Sequence, residues 1–484
     1  MLEIVMLGGL LASATPGLPE FSECRIGPEG AIGLKAECLE VSLPEDHAAP
    51  DGRQITVKVA RLPARSRAPA AAPLVFIAGG PGQSAIETFA GARGAFSAVR
   101  QQRDILLIDQ RGTGESSPLR CEALEEAEAT LPQDEGMLAA WTRDCLASLE
   151  GDPRWYSTVD AVRDLEVLRE RLGYPAYVLY GISYGTRVAQ EYLRQYPERV
   201  ERVVLDGVVP PDAILGTEIA NDAQRALENV FRRCEQQESC AARFPALRDS
   251  VARIKELLGE DGRRVSVRDA YSGEMEDVTM SWPRVAMVVR MFSYAPETLS
   301  LLPLLLDDAV NERWDAIAAA SSNQASEIGE SINIGMHNAV VCTEDFPFFP
   351  VESAGTSDAY LGDEFLASLR TMCGEWPGRE LPASFKSLVA SDKPVLLLSG
   401  ELDPVTPPHN AEQAMALLTN ARHLVAEGQG HGVAMRGCMP RILADFYEGT
   451  GPADLDVECL EDFQADPFFL NRNAADLGGH DDQG

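Results

Sequence analysis

The chain has 484 residues, of which 45% are hydrophobic and 24% charged, and its formal net charge is −33. That length exceeds one average domain and the composition is globular, while so acidic a chain lacks the clustered Lys and Arg that phosphate backbones require. No nucleic-acid partner is expected, and no apolar run of about 18 residues predicts stable membrane insertion.

Residues 1–14 end in Ala12-Ser13-Ala14 and have the apolar stretch of a secretory signal without its positively charged leader. We read them as a signal peptide whose start codon is set too late, and expect an exported product, periplasmic or secreted. The ten cysteines agree with that reading. They group as near neighbours: Cys24 with Cys38, Cys121 with Cys145, Cys234 with Cys240, Cys342 with Cys373, and Cys438 with Cys459. An even count without CxxC or Cys/His metal spacing suits disulfides in an oxidising compartment, although sequence leaves the connectivity open.

From Glu37 to Leu43 and from Gln54 to Ala60 the pattern alternates, as in half-exposed antiparallel strands. Uninterrupted apolar runs follow at Leu74–Ile77, Ile105–Ile108, Tyr177–Tyr180, Val203–Leu205 and Val395–Leu398, with a shorter one at His423–Ala426. These suit strands buried on both faces. Helical patterns between most of them, such as the one capped by Ser157 or Thr158, predict a mostly parallel sheet flanked by helices. The exception is a long helical stretch rich in aromatic and proline clusters. We expect a parallel-sheet core at 24–210 and 394–470, a mainly helical cap inserted at 211–393 before the penultimate core strand, and a flexible tail at 471–484.

The chemistry centres on Gly181-Ile182-Ser183-Tyr184-Gly185, between a strand and a helical pattern. That context makes G-x-S-x-G a nucleophile elbow, with Ser183 on a strained turn at a helix N-terminus. A serine nucleophile needs a base, an orienting acid and oxyanion donors. For the acid, Asp403 stands just beyond the Val395–Leu398 run, in a loop stiffened by prolines; Asp206, after the Val203–Leu205 run, is the alternative. Among the six histidines, His431 alone lies in a strand-following glycine loop, Gly428-Gln429-Gly430-His431-Gly432. Ala78-Gly79-Gly80-Pro81-Gly82 follows the first buried run and offers the Gly80 N–H as oxyanion donor beside that of Tyr184, whereas Pro81 has none. Arg111, in Asp109-Gln110-Arg111-Gly112, reads as the partner of a buried acid. The order Ser183, Asp403, His431 is that of α/β-hydrolases.

Gly79-Gly80-Pro81-Gly82, Asp109-Gln110-Arg111-Gly112, the elbow and the Asp403 and His431 loops together resemble the proline iminopeptidase and tripeptidyl aminopeptidase branch of that fold. Val341-Cys342-Thr343-Glu344-Asp345 resembles the cap segment of the tripeptidyl aminopeptidase-like members. The resemblance implies serine exopeptidase activity on peptides with a free N-terminus, through an acyl-enzyme and with neither metal nor organic cofactor. Ala78 departs from the histidine usual before Gly-Gly-Pro-Gly, which favours the tripeptidyl-type relatives over strict proline specificity. Recognition of a charged amine calls for convergent carboxylates, and Glu344 and Asp345 are the candidates. A carboxylesterase with the same triad is the alternative activity and a non-catalytic binding protein a remoter one; the oligomeric state stays open.

Overall fold

The computed structural model describes residues 20–27, 33–121, 135–268, 273–350 and 359–475. The expected signal peptide, residues 1–14, lies outside them. Among the described residues, seven strands precede the long helical stretch: β1 (Ser22–Ile26), β2 (Leu34–Pro44), β3 (Gln54–Leu62), β4 (Leu74–Ile77), β5 (Ile105–Ile108), β6 (Tyr177–Ile182) and β7 (Val200–Asp206). Within that stretch β8 (Arg263–Arg268) and β9 (Met275–Met280) form a hairpin, and β10 (Val395–Gly400) and β11 (Ala421–Ala426) follow it.

The main sheet runs β1-β2-β3-β5-β4-β6-β7-β10-β11. Its first three strands are antiparallel, as their alternation predicts: Ile55, Val57 and Val59 point inward while Thr56 and Lys58 are part-exposed. From β5 onward all pairings are parallel, and β4 and β5 are buried at every residue. Two apolar layers cover the two faces. On one, Phe76 of β4 stacks on Tyr180 of β6 at 5.3 Å between ring centroids, and Phe89 and Phe96 close against Phe76. The helix Thr158–Leu172 on the other face starts at a capping box between Ser157 and Asp160, so Ser157 is the N-cap.

The inserted stretch does not pack as one unit. Residues between Ala223 and Ala318 build their own core, joined by Tyr360, Leu402 and Phe468. The helices Ile334–Glu344 and Glu364–Glu375 instead bury Met336, Val340, Leu369 and Met372 in the apolar layer of the main sheet. The start of the expected tail is also engaged, since Phe469–Asn471 pairs with Ala474–Ala475 as β12 and β13, and Arg472 binds Asp308. Residues 476–484 lie outside the described part.

Five disulfides join the near-neighbour cysteines: Cys24–Cys38, Cys121–Cys145, Cys234–Cys240, Cys342–Cys373 and Cys438–Cys459. They suit an oxidising compartment. Among the described residues no helix is long and apolar enough to cross a membrane.

Candidate active site

Ser183 follows β6 with φ 54° and ψ −127°, immediately before the helix Tyr184–Gln195. A non-glycine residue there stores roughly 1–3 kcal/mol of strain, which its surroundings must enforce. Its N–H donates to the Asp206 carbonyl at 2.9 Å, and the Thr186 hydroxyl donates to its carbonyl at 2.6 Å. The flanking glycines are spatial necessities. A side chain at Gly181 would strike the Gly185 carbonyl, and one at Gly185 would strike the Ile77 carbonyl at the end of β4.

That second contact seats the elbow against the glycine loop. A Cβ on Gly79 would come within 2.9 Å of Ser183 Cβ. Gly80 has φ 102° and joins Pro81 through a cis peptide bond. Its N–H has no acceptor among the described residues, and that of Tyr184 opens a helix where no intrahelical acceptor exists. Two such donors beside a serine are what a tetrahedral oxyanion requires. Asp109 braces this loop from behind: it accepts from the Ser84 hydroxyl at 2.8 Å and from the Ile86 and Glu115 N–H groups. Arg111 is fully buried and forks onto Asp164 at 2.7 and 2.6 Å.

The loops after β10 and β11 bring Asp403 and His431 together. His431 Nδ1 lies 2.8 Å from Asp403 Oδ2. The same oxygen accepts from the Thr406 hydroxyl at 2.7 Å, while Oδ1 accepts the Val405 and Thr406 N–H groups at 2.9 Å each. Burial alone would raise the Asp403 pKa, yet the His431 charge and these donors hold it below the usual carboxylate value. Burial likewise works against a charged His431, and the Asp403 charge and hydrogen bond outweigh it, so the imidazole pKa is raised. The ring stands beside the elbow: a Cβ on Gly207 would lie 2.9 Å from His431 Cε1, and one on Gly432 would lie 2.9 Å from Ile182 Cδ1.

Asp206 has a different place from the one weighed for it. Fully buried, it accepts from the Tyr180 hydroxyl at 2.7 Å and from the Val433 and Ala434 N–H groups, so it anchors the histidine loop from below. Sequence reasoning missed this and missed Thr406, for which the spacing Asp-x-x-Thr in a tight turn was the available signal. It also missed Tyr294, whose ring meets His431 edge-on at 5.3 Å.

The expectation that Glu344 and Asp345 face a substrate amine does not fit where they sit. Both side chains are 0% exposed and saturated by protein donors. Glu344 accepts from the Thr158 N–H at 2.6 Å and from Arg187; Asp345 accepts from Arg187 at 2.9 Å, Lys386 at 2.5 Å and the Leu215 N–H. They clamp the elbow helix, which carries Arg187, to the insertion.

Similarity to known proteins follows the same geometry. Residues 72–236, which include Gly80 and Ser183, match a family model described as the alpha/beta hydrolase fold. Residues 358–459, which include Asp403 and His431, match one described as TAP-like protein. Serine protease Hip1 of Mycobacterium tuberculosis is 26% identical, with 93% of each chain aligned. The tripeptidyl aminopeptidase of Streptomyces coelicolor is 24% identical over 87% of this chain and 83% of its own length. The proline iminopeptidase of Aeromonas sobria is 29% identical over 44% of this chain and 45% of its own. With the parallel sheet, the elbow and the two loops in the order these matches follow, the chain has the α/β-hydrolase fold and is similar to the tripeptidyl aminopeptidases and proline iminopeptidases.

Proposed function

We propose that the protein is an exported serine exopeptidase, periplasmic or secreted, that releases N-terminal residues or short peptides from substrates with a free N-terminus. The observation that carries this reading is the 2.8 Å contact between Asp403 and His431, on strand-end loops beside a serine in strained backbone. In this reading His431 takes the Ser183 proton as the hydroxyl attacks the peptide carbonyl, and Asp403 stabilises the resulting imidazolium. The Gly80 and Tyr184 N–H groups receive the oxyanion. His431 then returns the proton to the departing amine, and water, activated by the same histidine, hydrolyses the acyl-enzyme. The chemistry asks nothing of a metal or organic cofactor.

Two measurements test it together. A fluorophosphonate probe should label Ser183 in the folded protein and fail on Ser183→Ala. Mass spectrometry of a peptide library should show trimming from free N-termini and sparing of acetylated ones. Labelling accompanied by hydrolysis of simple acyl esters alone would replace the exopeptidase with a carboxylesterase; absence of labelling would remove the enzyme.

A further inference from the structure

Near the triad lies a cation that has no carboxylate partner among the described residues. Arg290 is near the end of the helix Trp282–Phe292, in a segment that neither family model covers. That helix leads into Tyr294, which meets His431 edge-on and accepts the His431 N–H on its carbonyl at 2.7 Å. Arg290 Nη2 lies 3.4 Å from the Tyr294 hydroxyl, and the guanidinium sits 5.5 Å from the centroid of the Phe365 ring. Its Nε is buried with no acceptor, and no carboxylate pairs with it among the described residues. Tyr360 is in the same condition: 2% exposed, with a buried hydroxyl that has no partner. The Arg290 charge is near enough to act on Tyr360, Tyr294 and His431.

A guanidinium held partly out of water without a counter-ion is unfavourable unless a ligand supplies one. The Arg290 Nε–H lacks an acceptor, the Tyr360 hydroxyl has an O–H to donate, and a planar two-oxygen anion satisfies a guanidinium edge best. We propose that Arg290 and Tyr360 form a carboxylate subsite beside Ser183, so that preferred substrates carry a carboxylate within a residue or so of the scissile bond. The carboxylate comes from an acidic side chain or from the C-terminus of a short peptide, and the inference rests on the exopeptidase reading above. The overall charge of −33 does not oppose this. Exposed charges more than about 8–10 Å away are screened at physiological salt, and a partly buried guanidinium acting at short range is screened much less.

The test compares matched substrates: Glu against Gln on either side of the cleaved bond, and C-terminal acid against C-terminal amide. The wild-type protein should prefer the acid of at least one pair by about 10- to 100-fold in kcat/KM, the range of a charge-assisted hydrogen bond. The pair that responds identifies the source of the carboxylate. Arg290→Met should bring that ratio to about one while neutral substrates are still cleaved and Ser183 is still labelled, and Arg290→Lys should retain part of it. Tyr360→Phe, which removes only an unpartnered hydroxyl, should lower the ratio several-fold without loss of stability. Arg290→Met should also move the acid limb of the pH profile upward for every substrate, since Arg290 lowers the His431 pKa. Ratios near one in the wild type, or unchanged ratios in both Arg290→Met and Tyr360→Phe, overturn the subsite and leave the exopeptidase standing. Absence of Ser183 labelling in the wild type overturns both.

Discussion

The Thr406 hydroxyl donates to Asp403 Oδ2 at 2.7 Å, on the same oxygen that His431 Nδ1 approaches at 2.8 Å. The hydroxyl also lies 3.0 Å from that nitrogen, so one side chain fixes the acid and the base against each other. Because Asp403 is buried, rotation away from His431 would leave a desolvated carboxylate unpaired, and Thr406 removes the freedom to do so.

Thr406→Val keeps the shape and deletes the donor. We expect kcat to fall by about 10- to 100-fold, the scale of one hydrogen bond to a charged group, with KM little changed. Thr406→Ser should recover most of the rate. Steady-state kinetics of the two variants decides it: equal rates for Val and wild type would reduce Thr406 to a packing residue.

The pH profile carries a second expectation. Asp403 raises the His431 pKa above its ordinary 6.5, and a general base must be neutral to accept the Ser183 proton. Activity is therefore lost as pH falls through that raised value, and the acid limb of kcat/KM should lie above 6.5. Asp403→Asn should lower the rate by about 10⁴-fold and shift the limb downward. A limb at or below 6.5 in the wild type would mean that the pair does not control the base.

Much of this arrangement was legible in the chain. The parallel strands announce themselves because burial on both faces leaves unbroken apolar runs, and each site loop follows such a run at its C-terminal end. Ser183, Asp403 and His431 stand out because glycine or proline frames each of them. What stayed hidden depends on partners far apart in sequence. Arg187 and Asp345 are separated by 158 residues, and no local pattern pairs them. A Glu-Asp dipeptide beside aromatics reads equally as a solvated pair, a substrate contact or a buried clamp. Ile334–Glu344 is buried on nearly every side, so no helical periodicity marks a face or tells which core receives it. Asp206 stood as the alternative acid for the opposite reason: it sits at a strand end as an acid should, yet its oxygens accept from the Val433 and Ala434 amides.

Asp109, behind the glycine loop, makes stability depend on pH. Burial without a facing cation raises its pKa from 3.8 to about 6, more than its three hydrogen bonds lower it. The native state keeps this proton while the unfolded chain loses it. The associated stabilisation is complete below 3.8 and lost as pH rises through about 6. The shift corresponds to about 3 kcal/mol as an order of magnitude. Urea unfolding between pH 4 and 7 should show this decline, and Asp109→Asn should flatten it. An identical slope in the variant would assign the pH dependence to other groups.

Glu344 offers the sharpest division between a clamp and a substrate contact. Its Oε1 accepts the Thr158 N–H at 2.6 Å, and its Oε2 faces the Thr158 hydroxyl at 3.0 Å and Arg187 Nη1 at 3.3 Å. In Glu344→Gln the amide nitrogen must replace one of these oxygens. It would then point a donor either at the Thr158 N–H or at the guanidinium. Arg187 would keep Asp345, but a buried network with a mismatched donor is destabilised by about 3 kcal/mol. The elbow helix that carries Arg187 would lose part of its support, so kcat should drop for every substrate alike. We therefore expect a lower Tm and equal losses on free-amine peptides and N-blocked esters. Thermal unfolding and paired kinetics on the two substrate types provide the check. A Tm unchanged from wild type, with KM raised only for free-amine substrates, would return Glu344 to the substrate.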